Sequence, residues 1–388
     1  MSPIWTWSAI DPRCISPYAP MPSASGMPDR LPTLSLTASR SCRVQVDHPR
    51  TPLTTMTNHR PRVNAGTAGD STMSNDIIHK TAEKVAALRD HFIHHERFEL
   101  LEARFAMLVA KRLSDLDAGR SSEAHGLALS GPSGTGKSAA MHHLLAGVGQ
   151  QLSTTRHWDA PIISLRVPSP ATLKFVGYTL LRALGYQISS ERQAWYIWDL
   201  VRHHLKERQV LFVHLDEAQD LASRGTKHEL NAVASMLKTL MTDPDWPVGI
   251  ILSGTPELED ILNHDPQLAR RMQTVHFNSL SPVAHGNDVL DLVENYSKRA
   301  GLPPAPGIVE LAHGERLIHA AANQFGLVIE LTLAAIEQAF LNGARQLASR
   351  DFACAYHLRT ACDDSFNPFI IPDFYRVDAR QVFSREKR

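Results

Sequence analysis

Gly131, Pro132, Ser133, Gly134, Thr135, Gly136, Lys137 and Ser138 have the spacing of a loop that cradles a phosphate chain. The glycines let the backbone wrap closely, so that successive N–H groups point inward at an anion. Lys137 would then reach the β- and γ-phosphates, and the Ser138 hydroxyl would ligate magnesium. Downstream, an apolar run ending His214-Leu215 delivers two adjacent carboxylates, Asp216 and Glu217. Asp216 would hold magnesium directly or through water, and Glu217 would orient and deprotonate an attacking water. Two further groups fit this chemistry. Ser253 or Thr255, after a later apolar run, could hydrogen-bond the γ-phosphate or its water; a strand-to-helix turn with a capping hydroxyl is the other reading. In Arg270-Arg271, one guanidinium could reach a neighbouring subunit's γ-phosphate; Arg271 is the preferred candidate, and a solvated surface pair the alternative.

These groups need a scaffold, and the pattern supplies one. Leu127 to Leu129 read as a strand entering the glycine loop, and a helix-forming run leaves it from Ala139. The helix adds its N-terminal partial positive charge at the phosphates. Further strands are expected at Pro161–Val167, Gln209–Leu215, Pro247–Pro256 and Thr274–Leu280, with helices at about 172–184, 195–208 and 228–242. Strands alternating with helices predict an α/β fold with a parallel sheet of five strands, ligands gathering at the C-terminal strand ends. Residues from Ala284 to about Ala361 are helical throughout, broken at residues 301–304 and at Gly326, and predict a small all-α lid. The expected domains are 1–72 (an extension), 73–122 (helices packed on the nucleotide domain), 123–282 (nucleotide domain), 283–362 (lid) and 363–388 (tail). Asn367-Pro368-Phe369 and Asp373-Phe374-Tyr375 make that tail aromatic and proline-broken, unlike a packed helix.

Composition sets the bounds. The 388 residues carry 40 Lys plus Arg against 40 Asp plus Glu, so a polyanion partner would have to meet a local patch. No apolar run approaches the roughly 18 residues that span a bilayer, and no secretory signal is read at the N-terminus. A cytoplasmic protein is expected, with Cys14, Cys42, Cys354 and Cys362 as free thiols. His91, His94 and His95, His142-His143 and His203-His204 lack a completing ligand at metal spacing and read as solvated faces. Residues 1–72 hold ten of the 24 prolines and neither Lys nor Glu, a composition expected to be disordered. Met73 reads as an alternative start.

The phosphate loop, Asp216-Glu217-Ala218-Gln219, Leu252-Ser-Gly-Thr-Pro-Glu-Leu258 and Asp265-Pro-Gln-Leu-Ala-Arg-Arg271 together resemble an AAA+ ATPase, more narrowly a TniB-type transposition ATPase. Val167-Pro168, Leu181-Arg-Ala-Leu-Gly185 and Asn367-Pro-Phe369 extend the resemblance over about residues 76–373. It implies ATP and magnesium as ligands, self-association into a ring or filament, double-stranded target DNA and a DDE-type transposase as partners, and no membrane. Lys174, Arg202, Lys206, Arg224 and Lys227 are candidate DNA contacts, each equally readable as a solvated charge. An ATPase of the ExeA kind serving a secretion complex, or a loader of the IstB or DnaC kind, is the rival. The sequence departs from AAA+ proteins at Gly326-Leu-Val-Ile-Glu330, where a sensor arginine is common. Coupling of lid to nucleotide is therefore expected to be weaker or differently routed.

Overall fold

The computed structural model describes residues 69–169, 171–188, 190–222 and 226–380. The expectations for residues 1–68, for Arg224, and for the charged end at Arg385, Lys387 and Arg388 lie outside the described residues. Two helices come first, α1 (Gly69–Arg89) and α2 (Glu96–Asp117), then β1 (Gly126–Ser130) and α3 (Lys137–Arg156). Next are β2 (Ile162–Arg166), α4 (Leu173–Ala183), α5 (Ala194–Glu207) and β3 (Phe212–Asp216). They are followed by α6 (Lys227–Met241), β4 (Gly249–Gly254), the short α7 (Leu258–His264) and α8 (Pro266–Ala269), and β5 (Met272–His276). The lid is α9 (Pro282–Ala300), α10 (Leu311–Ala320), α11 (Phe325–Leu341) and α12 (Ser349–Thr360).

The five strands are parallel, in the order β2-β3-β4-β1-β5. β1 and β4 are buried along their whole length, which is why they read as continuous apolar runs. Alternation along β3 divides the two faces. Val213 and Leu215 join α4, α5 and α6 in one core, while Phe212 joins α2 and α3 in the other. This order makes β3, β4 and β1 immediate neighbours. Their C-terminal ends, far apart in the chain, therefore open onto one spot.

Two expectations are corrected. Helix α1 does not pack on the nucleotide domain with α2. Leu88 lies in the lid core, Lys84 sits over the Phe340 ring, and Tyr296 donates from its hydroxyl to His91 O at 3.2 Å. Only α2 covers the sheet, through Phe98, Leu101 and Phe105. Second, residues 91–95 form the connector between α1 and α2, not a helix face. His95 caps α2 by accepting from Phe98 N at 3.2 Å, and Phe92 stacks on His143 with centroids 4.1 Å apart. Burial pushes the His95 imidazole down to about 4, so it stays neutral and able to accept. The described residues of the tail form no α-helix and pack on the lid. Asn367 is buried and donates to Ala353 O at 2.8 Å, and Arg316 donates to Pro368 O and Ile371 O. Phe369 and Phe374 are buried too. Cys354 and Cys362 are free thiols. No single helix among the described residues is long and apolar enough to cross a membrane.

Candidate nucleotide site

The glycine loop leaves β1 and enters α3 at Lys137. Gly134 and Gly136 take φ of 82° and 89°, a left-handed backbone that suits glycine. Lys137 is buried beneath the loop, its Nζ donating to Gly131 O at 2.7 Å and Pro132 O at 2.9 Å. Burial lowers its pKa, against the raising influence of Glu217 and Asp216. The same ammonium can exchange these carbonyls for phosphate oxygens without leaving the loop.

Asp216 is the point of convergence. Ser138 Oγ donates to its Oδ2 at 3.1 Å and Ser253 Oγ to its Oδ1 at 2.6 Å. A carboxylate beside a hydroxyl at the start of a helix is a hard oxygen donor set, the kind magnesium accepts through one or two protein ligands. Glu217 follows with φ 55°, a turn that redirects its side chain from the strand. Its Oε2 accepts from Gln219 Nε2 at 2.8 Å, and its Oε1 lies 3.6 Å from Arg166 Nη2. Gln219 Oε1 in turn accepts from Thr255 N at 3.1 Å. Gly254 makes this bridge possible, because a Cβ there would strike the Gln219 oxygen.

Two candidate roles change. Ser253 is fully buried between His214 Nε2, at 2.7 Å, and Asp216, so it does not face a γ-phosphate or its water. Thr255 is half-buried and lies just past the open end of β4. Arg271 is also displaced from its expected role. It is 5% exposed, paired with Glu123 Oε2 at 2.7 Å and donating to Gln267 O, all within its own chain. The exposed guanidinium of the pair is that of Arg270. Sequence reasoning also assigned no role to Arg166, Ser164, His214 or Gln219. The signal available was polarity, a serine and a histidine interrupting otherwise apolar strands.

The lid meets the loop through its backbone. Leu327 N, in the first turn of α11, donates to Gly134 O at 3.2 Å. Gly326 lies so close that a Cβ would stand 2.6 Å from Gly134 O and 3.0 Å from Gly136 N. The missing sensor arginine is therefore accompanied by direct contact between loop and helix. Gly326→Ala should push the lid off the loop at a cost of about 1–3 kcal/mol, because backbone cannot yield as a side chain does. A lower Tm and faster hydrogen exchange at Leu327 N–H are the expected results; unchanged exchange would refute the wedge. A cavity of about 440 Å³ lies between Pro132 and Ser133 of the loop and Gln324, Leu327 and Arg359 of the lid.

Among the DNA candidates, Lys174 pairs with Glu191 at 2.6 Å, Arg202 with Asp199 at 2.7 Å and Lys206 with Asp245 at 3.0 Å. Lys227 is exposed at the start of α6. On α5, His204 Nδ1 lies 2.9 Å from Glu207 Oε2, so the histidine pair is tied to a carboxylate of its own helix.

A parallel five-stranded sheet, a glycine loop after β1, a carboxylate pair after β3 and a helical lid after β5 define the AAA+ class of P-loop fold. The family model described as "Bacterial TniB protein" matches residues 85–281, and the chain belongs to the TniB family. Among solved structures, the Aeropyrum pernix Orc1 protein, determined in complex with DNA, is similar at 16% identity with a TM-score of 0.53. The match covers 69% of this chain and 66% of that one. The Aeropyrum pernix Orc2 protein, in ADPNP–ADP complexes, is similar at 15% identity over 68% of this chain and 69% of its own, with a TM-score of 0.49. At 16% identity the likeness to Orc1 is one of fold. No curated protein matches the chain.

Proposed function

We propose that this protein is an ATP-dependent, DNA-binding transposition helper, which assembles on target DNA, recruits or activates a DDE-type transposase, and disassembles on ATP hydrolysis. The observation that carries the reading is the convergence of Ser138 on Asp216 beside Lys137, with Glu217 next in the chain, in a member of the TniB family. Lys137 and the loop N–H groups bind the triphosphate, and Ser138 and Asp216 hold the metal. Glu217 takes the proton of the attacking water, steered by Gln219. When bound, magnesium neutralises charge on the β- and γ-phosphate oxygens. Arg270 supplies positive charge from an adjoining subunit. ATP then biases an equilibrium between assembled and dispersed protein.

DNA is gripped through its backbone, so binding should be tolerant of sequence and steeply salt-dependent. Lys174, Arg202, Lys206 and Lys227 must give up surface ion pairs or hydration to do this, and exposed, solvent-screened pairs are weak. An electrophoretic mobility shift with duplex DNA tests the reading. Wild type should shift DNA of unrelated sequences with ATP and weakly without it. Lys137→Ala should lose the ATP-dependent shift, since a phosphate-binding ammonium is gone. Equal shifts with and without ATP would refute the proposal, and no DNA shift at all would favour a secretion-type ATPase.

A further inference from the structure

The buried hydrogen bonds around Asp216 continue well beyond the site. Ser164 Oγ lies 2.8 Å from His214 Nδ1, His214 Nε2 lies 2.7 Å from Ser253 Oγ, and Ser253 Oγ lies 2.6 Å from Asp216 Oδ1. The sheet register builds this chain. Ser164 is directly opposite His214, and Asp216 directly opposite Ser253. His214 and Asp216, two residues apart, share a face of β3. The stripe thus crosses β2, β3 and β4, from the exposed Ser164 to a metal-binding carboxylate, on the side where Phe212 and Ile251 are apolar.

Chemistry fixes the direction of every proton. An ionised carboxylate only accepts, so the Ser253 hydroxyl proton points to Asp216 Oδ1. Ser253 Oγ must then accept from His214, which requires a proton on Nε2. Nδ1 is left to accept from Ser164, whose hydroxyl also reaches solvent. The relay engages Oδ1 and leaves Oδ2 turned to Ser138. Burying a histidine and a serine costs stability unless both are paired, and here each is.

We infer that His214, held as its Nε2–H tautomer, and Ser253 are positioning residues that fix the Asp216 carboxylate in the orientation its metal requires. The inference rests on the reading of Asp216 and Ser138 as the magnesium site. Partners one step behind a metal ligand orient it, and their loss typically weakens metal affinity about 10- to 100-fold. Ser164, exposed and replaceable by water, should matter little.

The test titrates the full-length protein with a fluorescent ATP analogue at stepped magnesium concentrations, and with manganese followed by electron paramagnetic resonance. Ser253→Ala and His214→Leu should raise the metal concentration for half-saturation about 10- to 100-fold. Nucleotide affinity in EDTA should stay at the wild-type value, which a general loss of structure would not allow. His214→Gln retains a donor near the Nε2 position and should recover most of the loss, and Ser164→Ala should match wild type. Nitrogen NMR of labelled histidine should show His214 protonated at Nε2, so the inference stays testable even if His214→Leu fails to fold. A protonated Nδ1 with bare Nε2, or a wild-type metal requirement in Ser253→Ala, would overturn it. If wild type takes up no nucleotide with magnesium, the ATP-site reading fails instead, and the tautomer measurement still stands on its own.

Discussion

Glu217→Gln should bind ATP as wild type does and lose about 10²- to 10⁴-fold in turnover, the usual contribution of a positioned general base. The amide keeps the length and one oxygen of the carboxylate, so the hydrogen bond from Gln219 Nε2 has an acceptor still. What disappears is the ability to take a proton from water. The contact with Arg166, 3.6 Å away on the exposed end of β2, loses its charge partner, a minor effect for a solvent-screened pair. Assemblies on DNA should persist, because the step that loosens them is blocked. Filter binding and single-turnover hydrolysis read the two halves separately. Wild-type hydrolysis by the variant would mean that another group is the base.

The second large effect is expected at Arg270. Arg270→Ala should bind nucleotide normally yet hydrolyse it about 10³- to 10⁵-fold more slowly once assembled, the range an arginine supplied across an interface commands. Mixing decides whether it acts between subunits. Arg270→Ala contributes an intact Glu217, and Glu217→Gln contributes an intact Arg270, so mixed assemblies should regain hydrolysis that neither variant shows alone. Absence of recovery would remove Arg270 from the interface. Arg271→Ala should behave differently. Its guanidinium is buried against Glu123 and Gln267 O, so its loss should cost about 1–3 kcal/mol and lower Tm. Glu123, half-exposed, can turn to water and limits the damage.

The glycine loop was legible without coordinates because its geometry is local. Eight consecutive residues make the loop from Gly131 to Ser138, and the strand before it and helix after it follow from local hydrophobic pattern. Asp216 and Glu217 were legible for a similar reason, as a carboxylate pair at the end of an apolar strand. Strand boundaries moved by up to about four residues, as with β5, expected over Thr274–Leu280 and observed over Met272–His276. Hydrogen-bonded pairing, not composition, sets where a strand ends.

The tertiary structure decided everything that depends on which strands are neighbours and which side chain is turned inward. Arg270 and Arg271 are the same residue type in adjacent positions, and only packing after α8 buries one and exposes the other. Ser253 and Thr255 are hydroxyls two residues apart at the end of β4, yet the register opposite Asp216 takes the first into the sheet and leaves the second just beyond it. Helix α1 carries apolar residues at helical spacing, such as Val85 and Leu88, as α2 does, but covers the lid, a choice between two apolar surfaces that its own pattern does not distinguish. Gly326 reads as a missing arginine until the loop is seen against it. Local backbone preference and periodicity are written residue by residue, whereas burial, partners and proton direction belong to pairs distant in the chain.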